Sequence, residues 1–224
     1  MGVNTLLPSV TNQAQRLIEL GVPGLLGQDP GQVMSVALAL EEKIGKESTE
    51  ALLVPTRIMC SYADLMRLVT HQGHPGFVVE DFTDAADFIT VTGPDSKPIE
   101  LPDSPWYLLT DPRRGDEFEN SSPAEALETI SEHGRITMTI GEGIFWLLQN
   151  LSVLERNHCF MTIGSRKLKS TGAFDARTPA LWISNGTGRD GKEHRDAPKL
   201  GWCWWNNRHT WLGIAHAERR AVAP

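Results

Sequence analysis

The constraint that most limits the fold is a change in hydrophobic pattern near residue 150. Before it, apolar residues recur at helical spacing between recognisable capping signals. After it, they come in short runs separated by turn residues, as strands do. This order favours an α+β fold over a doubly wound α/β sheet, whose elements alternate. The expected architecture is a mixed helix and strand N-terminal part followed by a mainly antiparallel, Trp-rich β part. Residues 1–224 are expected to form one compact domain, with a possible sub-division near 150. A chain of this length buries about 70% of its unfolded surface and folds without staples.

The helix signals are local and mechanistic. Val10, Ala14, Leu17 and Ile18 form one stripe, closed by Gly21 and Pro23. Asp29 as N-cap and Pro30 at the first helical position open a second helix carrying Val33, Ala37, Leu40 and Ile44, with Gly45 at its stop. The segment between them, Gly21 to Gly27, is loop-like. Ser61/Asp64, Ser122/Glu125 and Thr139/Glu142 each have the spacing of a capping box, in which a hydroxyl and a carboxylate satisfy each other's free amides. Strands are expected at Ala51–Val54, Phe77–Val79, Phe88–Thr92 and Trp106–Leu109, then at Cys159–Ile163, Ala180–Ile183, Gly201–Trp205 and Thr210–Ala215. Two polar stretches, Asp111–Asn120 and Arg166–Lys169, are expected as exposed loops, and Glu80–Asp84 as an acidic connection.

Charge divides at the same place as pattern. Residues 1–150 hold 9 Lys/Arg and 22 Asp/Glu, a balance of −13, whereas residues 151–224 hold 12 and 6, a balance of +6. The total of −7 excludes a strongly basic nucleic-acid binder. The basic residues of the second part are scattered, so nucleic acid is not the expected partner. Two readings stay open: the parts attract each other within one fold, or the asymmetric surface docks another macromolecule. No apolar run reaches membrane-span length, and Met1-Gly2-Val3-Asn4 lacks the basic stretch and apolar core of a signal peptide. Three cysteines, Cys60, Cys159 and Cys203, make no disulfide framework. A cytoplasmic location and no membrane partner are therefore expected.

Several stretches carry possible chemistry. Gly186-Thr187-Gly188-Arg189-Asp190-Gly191 fits G-x-G-x-x-G, but no helix follows to hold a pyrophosphate, and Pro198 would interrupt one. The loop is either a solvent-exposed β-connection or a polar functional loop using Arg189, Lys192 or Arg195. Histidines and cysteines concentrate in the last third without zinc-ligand spacing, so no metal site is expected. Cys159 or Cys203 as nucleophile, with His158 or His209 for proton transfer, is the candidate catalytic set. Both cysteines lie in expected strands, where a free Cys is usually a small buried hydrophobe.

The densest aromatic stretch, Gly201 to Trp211, holds Trp202, Trp204, Trp205 and Trp211. On a strand Trp202 and Trp204 share one face while Cys203 and Trp205 share the other. Asn206-Asn207 suits a hairpin tip, with the chain returning along Trp211–Ile214. The indoles either fill a core or wall a pocket, where Arg208 and His209 would supply polar groups. Trp202, Trp204, Arg208, Trp211 and His216 are the candidate ligand-binding residues.

Eight stretches run in a recognisable order. They are Ser122-Pro123-x-Glu125-Ala126, Gly134-Arg135, Thr139-Ile140-x-Glu142-Gly143-Ile144 and Asn157-His158-Cys159-Phe160. Then come Gly164-Ser165-Arg166, Pro179–Ile183, Ala197–Trp204 and His209–Gly213. Together they resemble an uncharacterised actinobacterial family carrying a domain of unknown function. The resemblance implies a cytoplasmic bacterial protein of single-domain size and no particular activity. From the Trp-rich stretch and its polar neighbours, the expectation is a small-molecule enzyme or ligand-binding protein with a Trp-lined pocket in the C-terminal sheet. The competing expectation is a protein- or nucleic-acid-interaction protein using the asymmetric charge. No cofactor is assigned.

Overall fold

The computed structural model describes residues 6–44, 50–81, 87–92 and 97–222. Helix α1 (Val10–Glu19) is capped by Ser9, whose hydroxyl accepts from Asn12 N. It buries Val10, Ala14 and Leu17 as the spacing predicts. The segment expected as loop contains a one-turn helix, α2 (Val22–Leu25), because Pro23 presets helical φ and the turn buries Val22. Helix α3 (Pro30–Ile44) starts where Asp29 Oδ1 accepts from Gln32 N. Its expected stop, Gly45, lies outside the described residues, as do Phe82, Thr83 and Asp84 of the acidic connection.

Next come β1 (Ala51–Pro55), α4 (Tyr62–Leu68), the small hairpin of β2 (Thr70–His71) and β3 (His74–Pro75), and β4 (Phe77–Val78). They are followed by β5 (Phe88–Thr92), β6 (Lys97–Pro98) and β7 (Trp106–Thr110). Helix α5 (Pro123–Glu132), β8 (Ile136–Thr137) and α6 (Ile140–Gln149) complete the first part. The second part is β9 (Cys159–Met161), β10 (Ser165–Lys167), β11 (Arg177–Ile183) and β12 (Pro198–Trp204). The short strands β13 (Leu212–Ile214), β14 (His216–Ala217) and β15 (Arg219–Ala221) end it. All three expected capping boxes form, at Ser61, Ser122 and Thr139. The architecture is α+β with mostly antiparallel sheets, and no described helix is long and apolar enough to cross a membrane.

The largest sheet runs β13-β9-β11-β12-β4. Its centre is the long antiparallel pair β11·β12, with Trp182 opposite Lys199 and Ala180 opposite Gly201. Strand β4 adds in parallel to β12, placing Phe77 beside Lys199. The hairpin expected after Asn206-Asn207 does not form. The chain crosses instead to pair β13 in parallel with β9, on the far side of β11. All three residues of β13 are buried there, and the free edge of β12 is taken by β4.

Helix α6 is buried along its whole length, from Ile140 to Gln149. A helix apolar on every side must be surrounded, and Gly143 shows how closely. A Cβ there would lie 2.7 Å from both Leu181 Cδ1 and Thr162 Cγ2. One cluster of buried residues runs from Val10 to Ala217 and includes members of both α6 and the large sheet.

Two stretches expected as exposed loops turn inward. In Asp111–Asn120, Arg114 is buried and donates to Val153 O at 3.2 Å, and Phe118 is buried too. In Arg166–Lys169, Arg166 belongs to β10, which pairs with β5. Its guanidinium lies 3.7 Å from the Trp205 ring centroid and 4.9 Å from that of Phe174. Stacking on aromatic faces is what makes the burial of this cation tolerable, although Arg166 Nε is left without a partner among the described residues.

The core also encloses an ion pair. Glu142, fully buried, accepts from Arg220 Nε at 2.6 Å, from the Tyr107 hydroxyl at 2.8 Å and from Thr139 N at 2.6 Å. Burial pushes the Arg220 guanidinium down, but the charge of Glu142 more than reverses this and holds it above its ordinary range. Burial and the same carboxylate raise the Tyr107 phenol. Arg220→Ala leaves that carboxylate uncompensated and should lower the unfolding free energy by about 3–5 kcal/mol. The readout is the urea midpoint, and adding Glu142→Gln should recover part of the loss. A cost below about 1 kcal/mol, the value of a surface pair, contradicts this role.

Candidate functional site

A cleft of about 730 Å³ opens beside β4, β11 and β12. Trp182, Lys199 and Trp202 come from the central strand pair, and Phe77 comes from β4. The strand register explains part of this grouping. Trp182 and Lys199 are cross-strand partners, and Gly201, two residues on, leaves room for the indole. A Cβ at Gly201 would come within 2.6 Å of the Trp182 ring. The Lys199 ammonium sits 4.6 Å from the Trp182 ring centroid.

The remaining wall is the Gly-rich connection between β11 and β12. It forms two single 3-10 turns, Gly188–Asp190 and Lys192–His194, and no helix. This excludes the dinucleotide geometry, in which a helix N-terminus faces the phosphates. Of the two readings open from the sequence, the loop borders the cleft, contributing Arg189, Asp190, Glu193 and His194. Asp190 is held from both sides: Lys199 Nζ donates to it at 2.6 Å and the Ser184 hydroxyl at 2.7 Å. The side chains of the Lys199–Asp190 pair are only 12% and 11% exposed, so both charges depend on each other. His194 stacks on Phe77 with ring centroids 4.0 Å apart. Its Nδ1 lies 2.6 Å from Asp190 O. A carbonyl oxygen only accepts, so Nδ1 carries the hydrogen and Nε2 of the neutral ring is an acceptor.

Across the mouth, Asp81 accepts from Arg189 at 3.1 Å and from Trp202 Nε1 at 3.4 Å. Arg177 donates to the Asp81 carbonyl at 3.3 Å and lies 5.8 Å from the Trp202 ring centroid. Arg156 anchors the base of the loop through Asn185 and Asp196.

Among the sequence candidates, Trp202 lines this cleft. Trp204 makes an edge contact with it at 4.7 Å and is otherwise 47% exposed, in keeping with the shared face expected of alternate strand residues. Trp211 packs on the His209 ring at 5.3 Å. The other polar candidates gather elsewhere, on the acidic segment 117–125. His158 faces Glu119 at 3.7 Å, Arg208 pairs with Glu125 and donates to Asn120 O, and His209 O accepts from Asn120 N. Burial pushes the Cys159 thiol up to about 12 and that of Cys203 up to about 11, so both are protonated at neutral pH. The cleft residues that the sequence candidates omit include Trp182, Lys199, Phe77 and His194 and the carboxylates of Glu80, Asp81, Asp190 and Glu193. A glycine inside an apolar strand run, Gly201, was the local sign of a close approach.

His216 belongs to a second assembly. Its Nε2 donates to Glu117 Oε1 at 2.8 Å, while Nδ1 accepts from Arg135 Nε at 2.6 Å. Arg135 in turn donates to the Asp111 carboxylate at 2.8 Å and to its carbonyl at 2.7 Å. A neutral ring fits both contacts, and burial followed by the Arg135 charge lowers the His216 pKa despite Glu117. A hollow of about 270 Å³ lies beside this network. Since the unfolded histidine takes a proton more readily, stability should be full above pH 6.5 and decline as pH falls below it. Burial lowers His209 and His71 as well, so they add in the same direction. Urea midpoints at about pH 7.5 and about pH 5.5 should differ less in His216→Asn than in the parent chain. An unchanged difference would place the titration elsewhere.

A family model described as a family of unknown function (DUF5701) matches residues 16–223. No curated protein and no solved structure matches the chain.

Proposed function

We propose that this chain, which belongs to that family of unknown function, binds a small organic molecule in the cleft beside β4, β11 and β12. The observation that carries the reading is the joint presence of volume, flat apolar walls and oriented polar groups. A cleft of about 730 Å³ is within the usual range for small-molecule sites. Trp182, Trp202 and the Phe77–His194 stack offer ring faces. Lys199 and Asp190 form a fixed charged pair at the wall, and His194 Nε2 is an acceptor that no ligand has to reorient. Binding of this type needs few polar contacts if they are pre-positioned. The proposed setting is the bacterial cytoplasm, in line with the resemblance to an actinobacterial family.

Part of the charge asymmetry that motivates the competing docking reading is met within the chain. Acidic residues of the first part pair with basic ones of the second within the chain, in the core at Glu142–Arg220 and at the surface at Glu125–Arg208, Asp81–Arg189 and Asp87–Lys167. Elevated thiols weigh against nucleophilic chemistry at Cys159 or Cys203.

Intrinsic tryptophan fluorescence, titrated against a panel of aromatic amines, amides and acids, should show a saturable change. Trp202→Ala should weaken that binding by about tenfold, the loss of one well-packed aromatic contact. His209→Ala and Trp204→Phe, both outside the cleft wall, should leave it within about twofold. No saturable response, or a loss that follows His209 and spares Trp202, removes the cleft as the site.

A further inference from the structure

Resting on the cleft as a ligand site, we infer that its occupant is an organic cation, an amine or heteroaromatic base carried on a flat apolar body. Four carboxylates border the cleft, from Glu80, Asp81, Asp190 and Glu193, against the cations of Lys199 and Arg189. Each of those cations already has its own carboxylate. Lys199 pairs with Asp190 at 2.6 Å and Arg189 with Asp81 at 3.1 Å. An anionic ligand would have to draw Lys199 away from Asp190, whose side chain is 11% exposed. That exchange would strand a largely buried carboxylate, so the site resists it.

A cation meets the opposite situation. Glu80 has no ion-pair partner among the described residues. No Lys or Arg pairs with Glu193 among the described residues, and the neutral His194 ring 4.0 Å away has its Nδ1 hydrogen committed to Asp190 O. Two carboxylates are therefore free to face a positive charge. The acceptor Nε2 of His194 can take an N–H from the same ligand.

The walls themselves show the preference. Lys199 places its ammonium 4.6 Å from the Trp182 ring centroid, and Arg177 lies 5.8 Å from that of Trp202. Both indoles thus already attract cations from within the chain. Ring faces are electron-rich, and indole is the strongest of the side-chain partners for a positive charge. An anion gains nothing from such faces. A ligand ammonium gains from them and from the free carboxylates together.

The test uses three probes of one shape on the full chain: 2-naphthylmethylammonium, 2-naphthylmethanol and 2-naphthoate, by isothermal titration calorimetry at low salt. The ammonium should bind about tenfold or more tightly than either of the others. In the Glu80→Gln/Glu193→Gln double variant that advantage should shrink to about twofold. Both residues border the cleft mouth, and circular dichroism verifies that the variant folds. Carboxylate binding as tight as the ammonium's, or an advantage unchanged in the double variant, overturns the inference. If all three probes bind equally and Trp202→Ala weakens them all, the cleft reading stands and the cationic preference is wrong. If none binds, the cleft reading itself fails and takes the cationic preference with it.

Discussion

The ion pair of Glu142 and Arg220 ties together the two parts of the chain that composition separates. Glu142 caps the first turn of α6 through Thr139 N, and the same carboxylate receives Arg220 from β15, near the C-terminus, and the hydroxyl of Tyr107 from β7. Removing a carboxylate and a guanidinium from water carries a desolvation penalty of several kcal/mol per ion. Only a geometry in which both groups are fully engaged offsets it. Arg220 meets this demand with a further bond to Thr137 O and a second to Glu142. The contact therefore fixes where α6 starts, where the last strand lies and how both sit against β7. Helix α6, buried on all sides, then sets the surface on which the large sheet packs through Gly143.

The cleft follows from that sheet. Its central pair β11·β12 is long and regular, but the connection between the strands is not a tight turn. Ser184, Asp190 and Asp196 instead tie the loop to its own base, and Arg156 clamps it from outside. The loop thus stands beside the strand pair and leaves a space between itself and β4. Gly201 opens that space for Trp182, and Lys199 spans it toward Asp190. The polar groups are fixed by the same hydrogen bonds that shape the loop, so the proposed site is pre-organised by the fold.

Part of the charge asymmetry is met within the chain. The acidic first part and basic second part meet in pairs that cross the molecule, and four such pairs join residues 78 or more positions apart. Most are at least partly exposed and individually contribute little. Their arrangement nevertheless favours the native pairing of the two parts over alternatives in which like charges face each other. The segment 117–125 takes part through Arg208, which pairs with Glu125.

By itself, the sequence determined the local decisions: where helices begin, which runs extend and which face of α1 is buried. Capping at Ser61, Ser122 and Thr139 involves residues three positions apart, and the stripe of α1 repeats within one helix, so neither needs distant partners. It also marked Trp202 as a candidate, but not the wall opposite it. Strand order was decided only by tertiary structure: the chain leaves β12, passes β11 and pairs β13 with the far edge of β9, because a short apolar strand is stabilised by burial that no local pattern encodes. The same holds for Arg166 and Arg114, polar in any sequence window yet buried once Trp205 and Val153 reach them. The cleft belongs to this second class. It joins Phe77, Trp182 and Lys199 from three strands and His194 from a loop, and their chemistry exists only where strand register brings them together.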